Sequence, residues 1–266
     1  MKRLAFLAGA LAACLGIAGC ASAPPAPTPA PEPPPTETPV SPTATLEFIG
    51  HSCFLLTASD GTRIVLDPYK DYTAPREIQM FPPGMSADAV VITHFHPDHT
   101  NSEAVAGARV IYRTGTDSVG AVRLTGLTGD HGSIDGTSQG LNTVWVLDIG
   151  ALKIVHTGAN GVLLTPELQA AVRNADVVIF RTGGDEAHIV RPMVDQMREL
   201  NARTLIPSHY SISEKYRMAP ILTVDELLAQ LDPGEAVVRA SGSTLDLSAG
   251  MPKQVVVLQP SALALQ

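Results

Sequence analysis

The chain has 266 residues, of which 45% are hydrophobic, enough to bury one full core. Its formal net charge of -8 excludes a nucleic-acid backbone or an anionic lipid surface as the main partner of the folded part, though not a small phosphorylated substrate, since bound metal ions supply local positive charge. Three cysteines, Cys14, Cys20 and Cys53, leave one thiol beyond the N-terminal region and exclude a disulfide framework.

Lys2 and Arg3 precede the apolar run Leu4 to Ala18, which is short for a permanent membrane helix and has the charged start of a secretory signal. Residues 1–19 are therefore expected to be an export signal. The segment Ile17-Ala18-Gly19-Cys20 that closes the run resembles the lipobox of bacterial lipoproteins. That resemblance implies cleavage before Cys20 and lipidation of its thiol. With Ala21 next rather than an aspartate, it also implies an anchor in the outer membrane, facing the periplasm. A plain secretory signal cut a few residues later is the alternative. Loss of Lys2 and Arg3 would leave 16 basic against 26 acidic residues, a net charge of -10. Residues 20–43 form the next segment, dominated from Pro24 to Pro42 by Pro, Ala, Thr and Glu. Such a composition cannot bury a core and favours extended polyproline II, so it reads as a tether reaching roughly 3 Å per residue. Residues 44–266 are expected to form one domain.

Within that domain, Leu46 to Ile49, Ser52 to Thr57 and Arg63 to Leu66 read as an opening meander, with Ser59-Asp60-Gly61 as a hairpin turn. Ala89 to Thr93 is a fully apolar strand. Further strands are expected near Val110 and over Thr143 to Leu147, Leu152 to Val155, Val177 to Phe180 and Thr204 to Ile206. Helices are expected at Pro166 to Asn174, capped by Thr165, at Pro192 to Leu200, with Met193 and Met197 as core filler, and at Val224 to Leu231. Strands followed by alternating helices and strands suggest sheets with helices packed outside. Cys53 lies in an apolar stretch and reads as a buried structural thiol.

Three histidines and a carboxylate fall within six residues in Thr93-His94-Phe95-His96-Pro97-Asp98-His99-Thr100, directly after an apolar strand. Imidazole and carboxylate suit zinc, and a tight turn after a strand aims several of them at one point. An exposed polar turn is the alternative. Burying three such histidines without partners would be costly.

This segment is the HxHxDH motif and resembles that of the metallo-β-lactamase superfamily. Gly50-His51-Ser52, Leu66-Asp67-Pro68-Tyr69, Gly129-Asp130-His131-Gly132 and Pro207-Ser208-His209-Tyr210 follow in order and resemble the branch containing ascorbate-6-phosphate lactonases and N-acyl-phosphatidylethanolamine phospholipases D. The resemblance covers about Leu46 to Tyr210. It implies an α/β fold, a four-layer αββα sandwich of mixed sheets with helices outside. His94, His96 and His131 would hold one zinc, and Asp98, His99 and His209 the other. A zinc-activated water would then attack an ester, lactone or phosphodiester, with Asp98 as the catalytic carboxylate and Asp67 orienting a ligand. A turn aspartate before Pro68 is the plainer account of Asp67.

One departure matters. Where the family has a His-Thr-Gly-Asp-like segment whose aspartate bridges two metals, this chain reads His156-Thr157-Gly158-Ala159-Asn160. A methyl group cannot coordinate zinc. Three outcomes stay open: Asn160 or Asp130 reaches the metals instead, a single zinc binds at the three-histidine site, or catalysis is lost and a ligand- or partner-binding role remains. The resulting expectation is fewer than two tightly held zincs per chain. His51 is a candidate for substrate contact, with a supporting or structural histidine as the alternative, and His188 for lining the pocket, with a solvated loop residue as the alternative. His156 is a candidate for a hydrogen-bonding role, and Arg181 and Tyr210 for contact with an anion or leaving group. The Gly50-His51 opening and the Pro207 to Tyr210 segment argue against β-lactams as substrates, and fold similarity alone assigns none.

Overall fold

The computed structural model describes residues 43–70, 81–132, 138–161, 163–182, 190–211 and 221–261. The chain divides into two units, Met1–Val40 and Ser41–Gln266, and the described residues belong to the second. The expected export signal, Cys20 and the Pro-rich tether lie outside the described residues, as does His188. No helix among the described residues is long and apolar enough to cross a membrane.

Two mixed sheets face each other. In the smaller, β1 (Ala44–Gly50), β2 (Cys53–Ala58) and β3 (Arg63–Leu66) form the expected antiparallel meander, and β4 (Ala89–Val91) and β5 (Arg109–Ile111) continue it in parallel. The larger begins with β6 (Gly115–Val119), β7 (Val122–Gly132), β8 (Ser138–Ile149) and β9 (Leu152–His156), all antiparallel. It continues in parallel through β10 (Val177–Arg181) and β11 (Thr204–Ser208). Of the last three strands, β12 (Val237–Arg239) and β14 (Gln254–Val257) extend the larger sheet, while β13 (Thr244–Leu247) returns to pair with β1.

The three apolar clusters show how the layers stack. Phe48, Phe54 and Leu66 from one sheet meet Trp145, Leu147, Ile179 and Ile206 from the other in a shared core. On the outer face of the larger sheet, Val155, Val178 and Phe180 pack under α1 (Pro166–Val172), α2 (Val190–Glu199) and α3 (Val224–Leu228), with Met193 and Met197 buried as expected. On the outer face of the smaller sheet, Cys53, Leu55, Val65 and Val90 are covered by Tyr69, Phe81 and Val105. Among the described residues, no α-helix lies on that face. Thr165 caps α1 by accepting from Leu168 N, and Thr223 forms a capping box with Glu226 at α3. Cys53 is a buried free thiol, and burial pushes its pKa up.

The long β7–β8 hairpin goes beyond the sequence expectation. Thr125, Gly126, Thr128, Gly129 and Gly132 give β7 the composition of a loop, yet burial largely alternates along it. Gly126 is there for room: a Cβ on it would stand 2.9 Å from Trp145 Cζ3. Trp145 is fully buried, and its Nε1 donates to the Ile92 carbonyl at 3.0 Å, tying β8 to the strand end that carries the histidine segment. Replacing Trp145 with Phe leaves that carbonyl without its donor. The substitution is expected to lower stability by about 1–3 kcal/mol, measurable as a lower urea midpoint by circular dichroism.

Candidate metal centre

Six strand ends deliver the candidate residues to one edge of the sandwich. Asp67 follows β3, Thr93 and the His94 to His99 turn follow β4, His131 lies near the end of β7, His156 ends β9, His209 follows β11, and His51 sits in the turn between β1 and β2. Five described non-glycine residues have a left-handed backbone: Asn174 and Asn201, a type that tolerates it, and His51 (φ 52°), Asp67 (φ 45°) and His209 (φ 59°). Strain of about 1–3 kcal/mol per such residue persists where surrounding structure enforces it. The His209 amide donates to the His51 carbonyl at 2.8 Å, so two of the strained turns are fastened to each other.

Asp67 is fully buried and accepts four hydrogen bonds. Thr93 N donates to Oδ1 at 2.8 Å, while Thr93 Oγ1, His99 Nδ1 and His156 Nε2 donate to Oδ2 at 2.7, 2.9 and 3.1 Å. Burial raises the carboxyl pKa, but these histidines outweigh it and hold Asp67 well below the usual carboxylate range. The single Thr93 hydroxyl proton goes to Asp67, so His94 Nδ1, 2.9 Å away, must be the donor to Thr93 Oγ1. That fixes the tautomer and leaves His94 Nε2 with a free lone pair. Asp67 is thus more than a turn residue, and His156 has the hydrogen-bonding role expected of it.

Two clusters form around this carboxylate. His94, His96 and His131 bring one potential ligand atom each within 4.8 Å of one another, and His51, Asp98, His99 and His209 do the same. They adjoin, with the His94 and His99 rings 4.0 Å apart between centroids. Burial pushes the His94 imidazole down to about 2 and His131 down to about 4, so both are neutral ligands at pH 7. His99 runs the other way: burial disfavours its charge, but the Asp67 and Asp98 carboxylates push it up to about 9. His99 Nε2 is buried, makes no hydrogen bond, and stands 3.4 Å from Asp98 Oδ2. A dication that displaces the Nε2 proton would satisfy it. Imidazole nitrogens with one carboxylate are a zinc-type donor set, and the residues fit such an ion.

The structure brings together every candidate ligand that the sequence suggested, His94, His96, His131, Asp98, His99 and His209, and places His51 beside them. Asp130 stands outside both clusters, with its side chain exposed. Asn160 is buried, and its Oδ1 accepts from Asp130 N at 3.4 Å. Asp130 therefore does not supply the carboxylate that Ala159 lacks. Ala159 is itself buried, and its amide donates to Asn142 Oδ1. Gly158 lets this loop press against the centre: with φ at 58°, a Cβ there would lie 2.5 Å from Thr93 Cβ. Tyr210 corrects an expectation, since it packs on Phe48 and its hydroxyl donates to the Leu258 carbonyl, away from any leaving group. Arg181 lies near enough for its charge to lower the pKa of His51, His131 and His209.

His94, His96 and His131 line a cleft of about 690 Å³. Phe95, Tyr112 and Leu141 supply exposed apolar surface around it. The Phe95 and Tyr112 rings meet edge-on at 5.2 Å, and the Arg113 guanidinium stands over Tyr112.

The profile of the β-lactamase superfamily domain matches residues 45–209. A UPF0173 metal-dependent hydrolase of Natranaerobius thermophilus is 28% identical over 62% of this chain and 83% of its own length; one from Methanosarcina mazei is 22% identical over 72% and 97%. Among solved structures, a Thermotoga maritima protein proposed to be a zinc-dependent hydrolase of the metallo-β-lactamase superfamily is 30% identical, with a TM-score of 0.60 over 81% of this chain and 98% of its own. The isothiocyanate hydrolase from Delia radicum gut bacteria, 19% identical over 77% of this chain and 100% of its own, shares the fold with a TM-score of 0.53. This chain therefore belongs to the metallo-β-lactamase superfamily.

Proposed function

We propose that the protein is a zinc-dependent hydrolase of an ester, lactone or phosphodiester, held at the cell envelope by lipidation of Cys20 and facing the periplasm. The observation that carries the catalytic part is the convergence of His94, His96 and His131 at the wall of a cleft. The metal-dependent hydrolases among its relatives support the same reaction class. A bound zinc supplies Lewis acidity and lowers the pKa of water to about 7. The protein's part is to aim His94 through Thr93 and Asp67 and to keep His94 and His131 neutral by burial. Phe95, Tyr112 and Leu141 would cover the apolar part of a small molecule, with Arg113 and Arg181 favouring a negative group on it. The envelope location rests on the lipobox resemblance at Ile17 to Cys20.

Ala159 favours a second reading, in which the cleft binds a ligand or envelope partner without turnover. Zinc-loaded protein is expected to hydrolyse at least one generic ester or phosphodiester, to lose that activity on chelation and to regain it with zinc. Silence across a broad panel with zinc demonstrably bound would favour the binding reading instead. Under that reading Ala159→Asp gains hydrolysis strongly, whereas a highly active native protein removes the need for it.

Asp67 supplies a separate test. Asp67→Asn keeps the volume but loses the charge that orients His99 and, through Thr93, His94. Zinc affinity is expected to fall about 10–100-fold, read by competition with a chromogenic chelator.

A further inference from the structure

We propose that His51 is a metal ligand, completing a second ion site with Asp98, His99 and His209 that needs no carboxylate at position 159. This rests on the metal-binding reading above and extends it to a residue that its relation to the HxHxDH segment does not predict.

Three imidazole nitrogens gather on one carboxylate oxygen. His51 Nε2, His209 Nε2 and His99 Nε2 lie 3.0, 3.2 and 3.4 Å from Asp98 Oδ2. Around a tetrahedral zinc with bonds of about 2.0–2.2 Å, neighbouring ligand atoms are separated by about 3.3–3.6 Å. The observed distances lie at or a few tenths of an ångström below that range, so a small outward movement admits the ion. All four ligand atoms lie within 4.8 Å of one another, and the His51 and His209 rings are 4.1 Å apart. His51 Nε2 and His209 Nε2 both lie within hydrogen-bond reach of Asp98 Oδ2, while the buried His99 Nε2 among them makes no hydrogen bond.

The backbone points the same way. His51 is 2% exposed, sits in a left-handed turn and is fastened through its carbonyl to the His209 amide. An imidazole needed only for packing would not require a strained turn locked to a second histidine turn. In this arrangement the charge of the second ion is met by Asp98 alone and its fourth position by a neutral nitrogen. The two ions are then held by separate side chains, with no protein carboxylate between them.

The test is a cobalt(II) titration of chelator-stripped protein, following visible absorption bands and counting ions by native mass spectrometry. Wild type is expected to take up two equivalents, in place of the fewer than two expected from the sequence alone. His51→Asn, which tolerates the left-handed backbone, is expected to keep the first equivalent and weaken the second at least 100-fold, and His51→Gly to do the same. His96→Ala is expected to lose the other equivalent and keep the one that depends on His51. Two equivalents with wild-type affinities in both His51 variants would overturn the assignment, as would a wild type that binds one equivalent unaffected by either. A folded wild type that binds no cobalt or zinc would instead remove the metal reading itself.

Discussion

The buried Asp67 carboxylate is the point on which the centre depends. One oxygen takes hydrogen bonds from Thr93, His99 and His156, and the other from the Thr93 amide. Those donors come from the segment that follows β4 and from the end of β9, in different sheets, while Asp67 follows β3. A buried anion with fewer partners would be costly, so each donor is needed as much for fold as for chemistry. Because the same contacts set the tautomers of His94 and His99, the closure of the sandwich and the aiming of its imidazoles are one event.

Much of this was legible beforehand where local signals were strong. Apolar runs ending in turn residues located β1 to β4 and β9 to β11, and Thr165-Pro166 located the start of α1. The Thr93 to Thr100 segment disclosed its chemistry because imidazoles rarely crowd together without cause. Less visible were features set by tertiary contact. β7 is rich in glycine and threonine because Trp145 needs room, which disguises a strand as a loop. β12 to β14 are short pieces added at the sheet edges, with little pattern of their own. His51 was ambiguous because one histidine after a glycine has no periodic neighbour. Its role emerges only when the β1–β2 turn meets the end of β11, some 158 residues away along the chain.

Ala159 shows how a substitution in a resembling segment should be weighed. By sequence it removes a carboxylate from a doubly charged site. In three dimensions its loop remains built around the centre, with Gly158 against Thr93 and the Ala159 amide on Asn142. The scaffold is kept while one donor is gone, and the nearby Asp130 does not fill in for it. The loss is local, confined to a side chain.

The single indole of the molecule has an unusual position for a reporter. Its nitrogen holds the Ile92 carbonyl, one peptide unit before Thr93 and two before His94. Any shift of that turn reaches the chromophore through one hydrogen bond. The domain therefore carries one buried chromophore, sealed from solvent, free of competing tryptophans and bonded to the residue that leads into the histidine turn.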